Sequence, residues 1–326
     1  MTMLSAWLLL PLLVALEWGY IGLARRLRLV DRPNARSSHA EPTVRGGGLI
    51  IVLAAMAAGL TDRQPSPWFM GGLGLVALIS FVDDILPVPN RYRLAVQLLA
   101  VVALLVQLGL VPIAGWVLLP VLLVGVGTLN ACNFMDGING ITALYSLVTL
   151  STLWWLGRHD SYTSGLLPAT LMGVLAFSLF NVRRKALCFA GDVGSVSVGF
   201  IILYPLGQLI LREGSLLPLL LLAVYGVDSV LTILHRLWLG QNIFQAHRMH
   251  LFQWLVHRQG WSHLRVSGLY ALVQGVVNGA VYWGFREPAS TQTWLAFGLL
   301  AALAVTYCLT KKRLAGSPAD ALVSVG

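Results

Sequence analysis

The stretch WFMGGLGLVALISFVDD, residues 68–84, decides how this chain is read. An apolar run from Trp68 to Val82 ends on two adjacent carboxylates, Asp83 and Asp84. A charge at membrane depth costs roughly 2.5–3.5 kcal/mol on insertion scales, and neighbouring like charges repel unless a cation compensates. The pair therefore sits at the water boundary or holds something positive.

The rest of the chain repeats this design. Of 326 residues, 57% are hydrophobic and 11% charged, with a mean hydropathy of +0.77; a soluble chain carries about 25% charge. The apolar runs are continuous rather than alternating, which favours helices over a β-barrel. About eleven candidate spans emerge: 3–23, 46–61, 67–82, 94–111, 113–130, 139–157, 166–181, 196–211, 216–235, 266–285 and 292–310. The expected fold is all-α, a polytopic bundle of 10–11 transmembrane helices forming one catalytic domain over 1–313, with a disordered tail over 314–326. The first span is expected to be a retained anchor, not a cleaved signal. With the N-terminus periplasmic, all basic residues except Arg63, Arg158, Arg212 and Arg286 fall on the cytoplasmic side with the C-terminus, as the positive-inside rule requires. The net charge of +9 is thus a topological signal with affinity for anionic lipid or phosphate, and no nucleic-acid partner is needed. Three scattered cysteines without a CxxC pair suggest neither disulfides nor zinc.

Polar residues gather in five inner loops. The first, 31–48, offers Arg36, His39 and Arg45, with two guanidiniums able to clamp phosphate oxygens. Its Gly46-Gly47-Gly48 run allows close backbone approach at the next span, although a basic linker set by topology alone is the simpler alternative. The second loop joins Asp83 and Asp84 to Arg91 and Arg93, for catalysis or for mutual neutralisation. In the third, NACNFMDGING (130–140), Asn130, Asn133, Asp136 and Asn139 recur every third residue. They suit a polar ligand or a hard cation, where helix capping would need only one. The fourth places Gly191-Asp192-Val193-Gly194-Ser195 at the start of a span. The fifth contains His247, Arg248 and His250. Residues 244–259 read as an amphipathic interfacial helix, anchored by Phe244, Leu251, Trp254, Leu255 and Val256, with His247 and His250 on one face. Donors to phosphate or sugar outrank a histidine zinc site there.

In this order, over residues 25–255, the loops resemble the polyprenyl-phosphate N-acetylhexosamine-1-phosphate transferase family. DRPNARSSH with PTVRGGG, the DD pair, NFMDGINGI, GDVGS and HRMH carry the resemblance. It implies Asp192 as the main Mg²⁺ ligand with Asn133 as partner, Mn²⁺ being a substitute. Asp83 and Asp84 would complete the catalytic acids near the lipid phosphate, beside a phosphate-contacting Arg93. Asp136 and Asn139 would line the nucleotide pocket, and His247, Arg248 and His250 would recognise sugar and pyrophosphate. The implied reaction joins undecaprenyl phosphate and a UDP-N-acetylhexosamine, giving undecaprenyl-diphospho-HexNAc and UMP, in the bacterial inner membrane with the site facing the cytoplasm. Many members read Asp-Arg-Glu-His-Leu-His-His where this chain has HRMHLFQ, which is closer to the O-antigen branch using FucNAc or QuiNAc than to plain GlcNAc use. A homodimer and a phospho-aspartate route remain open. The rival class, a cation-coupled secondary transporter, would place its carboxylates near the bilayer midplane.

Overall fold

The structure is a computed structural model and describes residues 8–33, 41–61, 66–112, 114–158, 165–243, 245 and 247–315. Arg36, His39, Phe244 and the tail beyond Ala315 lie outside the described residues.

The helices are α1 (Leu9–Arg26), α2 (Leu49–Thr61), α3 (Pro67–Ile85), α4 (Asn90–Gln107), α5 (Gly115–Met135), α6 (Ile141–Leu156) and α7 (Leu166–Asn181). There follow α8 (Gly191–Glu213), a 3₁₀ turn (Leu217–Leu222) running into α9 (Ala223–Trp238), the short α10 (Leu251–His257), α11 (His263–Gly284) and α12 (Ala289–Ala315). Each apolar run of the sequence has its helix. A two-residue ribbon, β1 (Val30–Asp31) against β2 (Thr43–Val44), closes the base of the first inner loop. Five helices among the described residues are long and apolar enough to cross a membrane. The chain is a multi-pass, all-α membrane bundle.

At its centre is α8, buried along most of its length from Gly191 to Leu209 and packed on α2, α3, α5 and α6. Small residues permit this. A Cβ on Gly48, just before α2, would stand 2.3 Å from the Cα of Gly194 in α8, so the two backbones touch with no side chain between them. One face of α3 stacks on α8, with Phe69 against Phe200 and Tyr204 at ring-centroid distances of 5.6 and 4.7 Å. Gly191 and Gly140 adopt φ +70° and +84° at the starts of α8 and α6, the left-handed region that favours glycine.

One expectation is corrected. The interfacial helix over 244–259 is only α10, and it does not lie on the surface. The N–H groups of Leu251 and Phe252 donate to the Asp228 carboxylate of α9, and the N–H of His250 donates to Gln253 Oε1. Capped from below in this way, the helix starts at Leu251. His247 and His250 therefore share no helical face, and Phe252, Trp254 and Leu255 are buried in protein. At the other end of the chain α12 runs through Leu314, which is buried, to Ala315.

Candidate active site

Four segments meet where α3 ends and α8 begins. Asp84, in the last turn of α3, accepts the backbone N–H groups of Asp192 and Val193 at 2.9 and 3.0 Å. These belong to the first turn of α8, where unsatisfied N–H groups and the helix dipole favour an anion. Arg45, between β2 and α2, places Nε 2.7 Å from Asp84 Oδ1 and Nη2 3.3 Å from Asp192 Oδ1. Arg93, in the first turn of α4, spans Asp83 Oδ2 and Asp192 Oδ2, both at 2.8 Å. The remaining Asp83 oxygen accepts the Val88 N–H at 2.7 Å, and Tyr20 donates to the Arg45 carbonyl at 2.7 Å. Asp192 is thus gripped by both guanidiniums, one on each oxygen. Three carboxylates against two guanidiniums leave the group net negative.

The Asn/Asp loop lies alongside, with its members in different roles. Asn133 donates to Ser195 Oγ at 3.4 Å, one turn into α8 from Asp192. Asp136 accepts from Thr142 Oγ1 at 2.6 Å. Burial, with Asp192 and Asp84 adding repulsion, pushes its carboxyl up to about 7 from the ordinary 3.8. A raised acid favours the folded state below its unfolded pKa, and that contribution is lost as pH rises through the folded value. In metal-free protein, the thermal midpoint of the wild type is therefore expected to fall between pH 4 and 7 relative to Asp136→Asn. Parallel pH curves would contradict this. Asn130 is occupied elsewhere: its amide donates to Gln97 Oε1 and the Val126 carbonyl, tying α5 to α4. Asn139 donates to the carbonyls of Arg183 and Arg184, and lines a cavity of about 930 Å³ with Arg25, Arg184, Lys185, Phe189 and His263. That volume falls within the range of small-ligand pockets. Phe189 also joins the cavity to the acidic group, being three residues before Asp192 and accepting the Gly47 N–H at 2.8 Å.

His250 is buried, not displayed. Its Nδ1 lies 3.2 Å from Asp228 Oδ1, and its Nε2 is enclosed without a hydrogen-bond partner. The ring stands 6.2 Å from Phe134, next to Asn133, and 4.9 Å from His247. Burial first, then the nearby His250, Arg236 and Lys311, lower the His247 imidazole to about 4. At pH 7 that leaves the ring neutral, with Nδ1 accepting the Met249 N–H at 3.2 Å. The Arg248 carbonyl accepts the Trp254 indole N–H at 3.1 Å.

Asp228 is the residue that sequence reasoning missed. It accepts from Thr232, His250, Leu251, Phe252 and Tyr270, the last at 2.6 Å. Its signal was available: a lone carboxylate inside the apolar run 216–235, where an ionisable group must have a partner.

No group of three or more His, Cys, Asp or Glu side chains among the described residues forms a ready metal cage. The donors present are carboxylate and amide oxygens, which fit a hard cation that keeps waters and substrate phosphates in its shell and takes only one or two protein ligands.

An acid–guanidinium centre at the joined ends of the helices of a multi-pass membrane protein lies beside a cavity lined by Arg25, Arg184 and Lys185. Residues 67–206 match the model of glycosyl transferase family 4. It is 28% identical to a decaprenyl-phosphate N-acetylglucosaminephosphotransferase of Mycobacterium leprae, over 84% of this chain and 81% of the relative. It is 27% identical to an undecaprenyl-phosphate alpha-N-acetylglucosaminyl 1-phosphate transferase of Yersinia pestis, over 88% and 86%. A phospho-N-acetylmuramoyl-pentapeptide-transferase of Lacticaseibacillus paracasei is 27% identical, over 87% and 97%.

Proposed function

We propose that this protein transfers a HexNAc-1-phosphate from a UDP-N-acetylhexosamine to undecaprenyl phosphate, releasing UMP, at the cytoplasmic face of the bacterial inner membrane. Such a product would begin O-antigen or a related surface glycan. The observation that carries the proposal is the grip of Arg45 and Arg93 on Asp192 beside Asp83 and Asp84. The names of the relatives add the reaction class, sugar-phosphate transfer to a polyprenyl phosphate.

A phosphate monoester has its second pKa near 6, so the lipid acceptor is largely dianionic at pH 7. Its oxygen attacks the phosphorus that bears the sugar, and the bond from that phosphorus to the UMP oxygen breaks. The main difficulty is bringing two anions together. Arg45 and Arg93 are placed to bind phosphate oxygens and hold the groups in line. Asp192, with the Asn133 amide oxygen, would hold Mg²⁺ or Mn²⁺, which supplies further charge neutralisation between the phosphates. Asp84, fixed by the α8 N-terminus, and Asp83, fixed by Val88, orient the guanidiniums and take up any residual proton. The cavity at Asn139, Phe189, Arg184 and Lys185 would accept the uridine and its phosphate.

Purified protein supplied with undecaprenyl phosphate and UDP-GlcNAc, UDP-FucNAc or UDP-QuiNAc is expected to release UMP with at least one donor, and to stop when EDTA removes divalent metal. No UMP with any donor would refute the proposal. Undiminished release in EDTA would refute the metal assignment.

A further inference from the structure

Helix α12 is almost wholly open to its surroundings, and its buried residues are three: Tyr307, Lys311 and Leu314. Their spacing puts them on one helical face. Each meets the segment that carries Arg248 and His250, or the element that holds it. Tyr307 shares a 2.7 Å hydrogen bond with Thr232, which donates to Asp228, the anchor of His250. The Lys311 ammonium lies 4.9 Å from the Trp254 ring and 4.7 Å from the Tyr307 ring. The Leu314 carbonyl accepts from Arg258, whose guanidinium stacks on Trp254 at 3.7 Å.

Lys311 is the unusual member. Its Nζ is buried with no hydrogen-bond partner. Enclosing an ammonium in this state costs more than its two aromatic contacts return, so packing alone gives no reason for a lysine here. As the first of three consecutive basic residues (Lys311-Lys312-Arg313) it reads in sequence as an edge charge, yet it turns inward. Trp254 is held between Lys311 and Arg258, and its N–H fixes the Arg248 carbonyl.

We propose that the last helix is a working part of the site, with Lys311 and Tyr307 as positioning residues that set Arg248 through Trp254 and His250 through Thr232 and Asp228. The inference rests on the proposed transferase activity. It is tested on full-length protein in detergent, with UMP release and thermal midpoint measured together. Lys311→Met keeps the volume and removes the charge. It is expected to leave the midpoint unchanged or raised, while KM for the UDP-sugar rises roughly fivefold or more. Trp254→Phe keeps an aromatic ring while removing the N–H to the Arg248 carbonyl and part of the face that Arg258 and Lys311 contact, and should act in the same direction. Because both work through Arg248, Lys311→Met added to Arg248→Ala should cost little beyond Arg248→Ala alone. KM within twofold of wild type in both single variants, or full additivity with Arg248→Ala, would overturn the proposal. If Lys311→Met does not fold, Trp254→Phe and Tyr307→Phe carry the same comparison. Absence of UMP release from the wild type would instead mark failure of the transferase reading itself.

Discussion

Asp192→Asn is expected to lower turnover about a thousandfold, comparable to removing one group that stabilises transition-state charge, while the protein stays folded. Asn keeps the shape of Asp192 but cannot neutralise two guanidiniums, and it is a poor ligand for a hard cation. Arg45 and Arg93 would still be paired with Asp84 and Asp83, so no bare charge is left buried and the thermal midpoint should move little. In the proposed reaction the loss belongs in kcat, because Asp192 would act where charge is redistributed and not where the sugar is recognised. Turnover within tenfold of wild type in the presence of Mg²⁺ would remove Asp192 from the centre of the mechanism.

Gly48→Ala should be nearly as damaging, for a different reason. The new methyl group would lie 2.3 Å from Gly194 Cα and 2.8 Å from the Ala190 carbonyl oxygen, both backbone atoms. No rotamer change relieves such a contact, so α2 and α8 must separate. The Gly47 and Gly48 N–H groups, bonded to the carbonyls of Phe189 and Ala190 at 2.8 and 3.0 Å, would move with them. Arg45 would be carried off its two carboxylates. A displacement of about 1 Å at a positioned group costs roughly a hundredfold in rate, and overpacking a core costs about 1–3 kcal/mol in stability. Lower activity together with a lower thermal midpoint is expected. Gly71→Ala, where a Cβ meets nothing within 4 Å, serves as the neutral control. Wild-type behaviour of Gly48→Ala would mean that the α2–α8 contact does not hold the site.

Much of this was legible in the sequence. Runs of apolar residues fix helices because backbone polar groups in lipid must be satisfied within the segment, and the runs 67–82 and 166–181 became α3 and α7 with little change. Gly46-Gly47-Gly48 announced a close backbone approach, and Gly194 of α8 is what it meets. Asp83, Asp84 and Asp192 stood out because carboxylates at the ends of apolar runs need partners, and they share Arg45 and Arg93.

What escaped depends on partners far away in the chain. Residues 244–259 have amphipathic spacing, but Asp228, more than 20 residues earlier, takes the N–H groups of Leu251 and Phe252 and starts the helix there. Lys311 opens a run of three basic residues, and only the packing of α12 on Trp254 turns it inward. Asn130 carried the same threefold spacing as Asn133 and Asp136 but spends its amide on Gln97. Local spacing registers which residues share a face; it does not say which distant element covers that face.

In the proposed reaction phosphorus moves with the sugar. A donor labelled with ³²P in the phosphate adjoining the sugar, incubated with the protein and undecaprenyl phosphate, tests it directly. The label should enter the lipid fraction in step with unlabelled UMP; label recovered in UDP, with the sugar alone on the lipid, would contradict it.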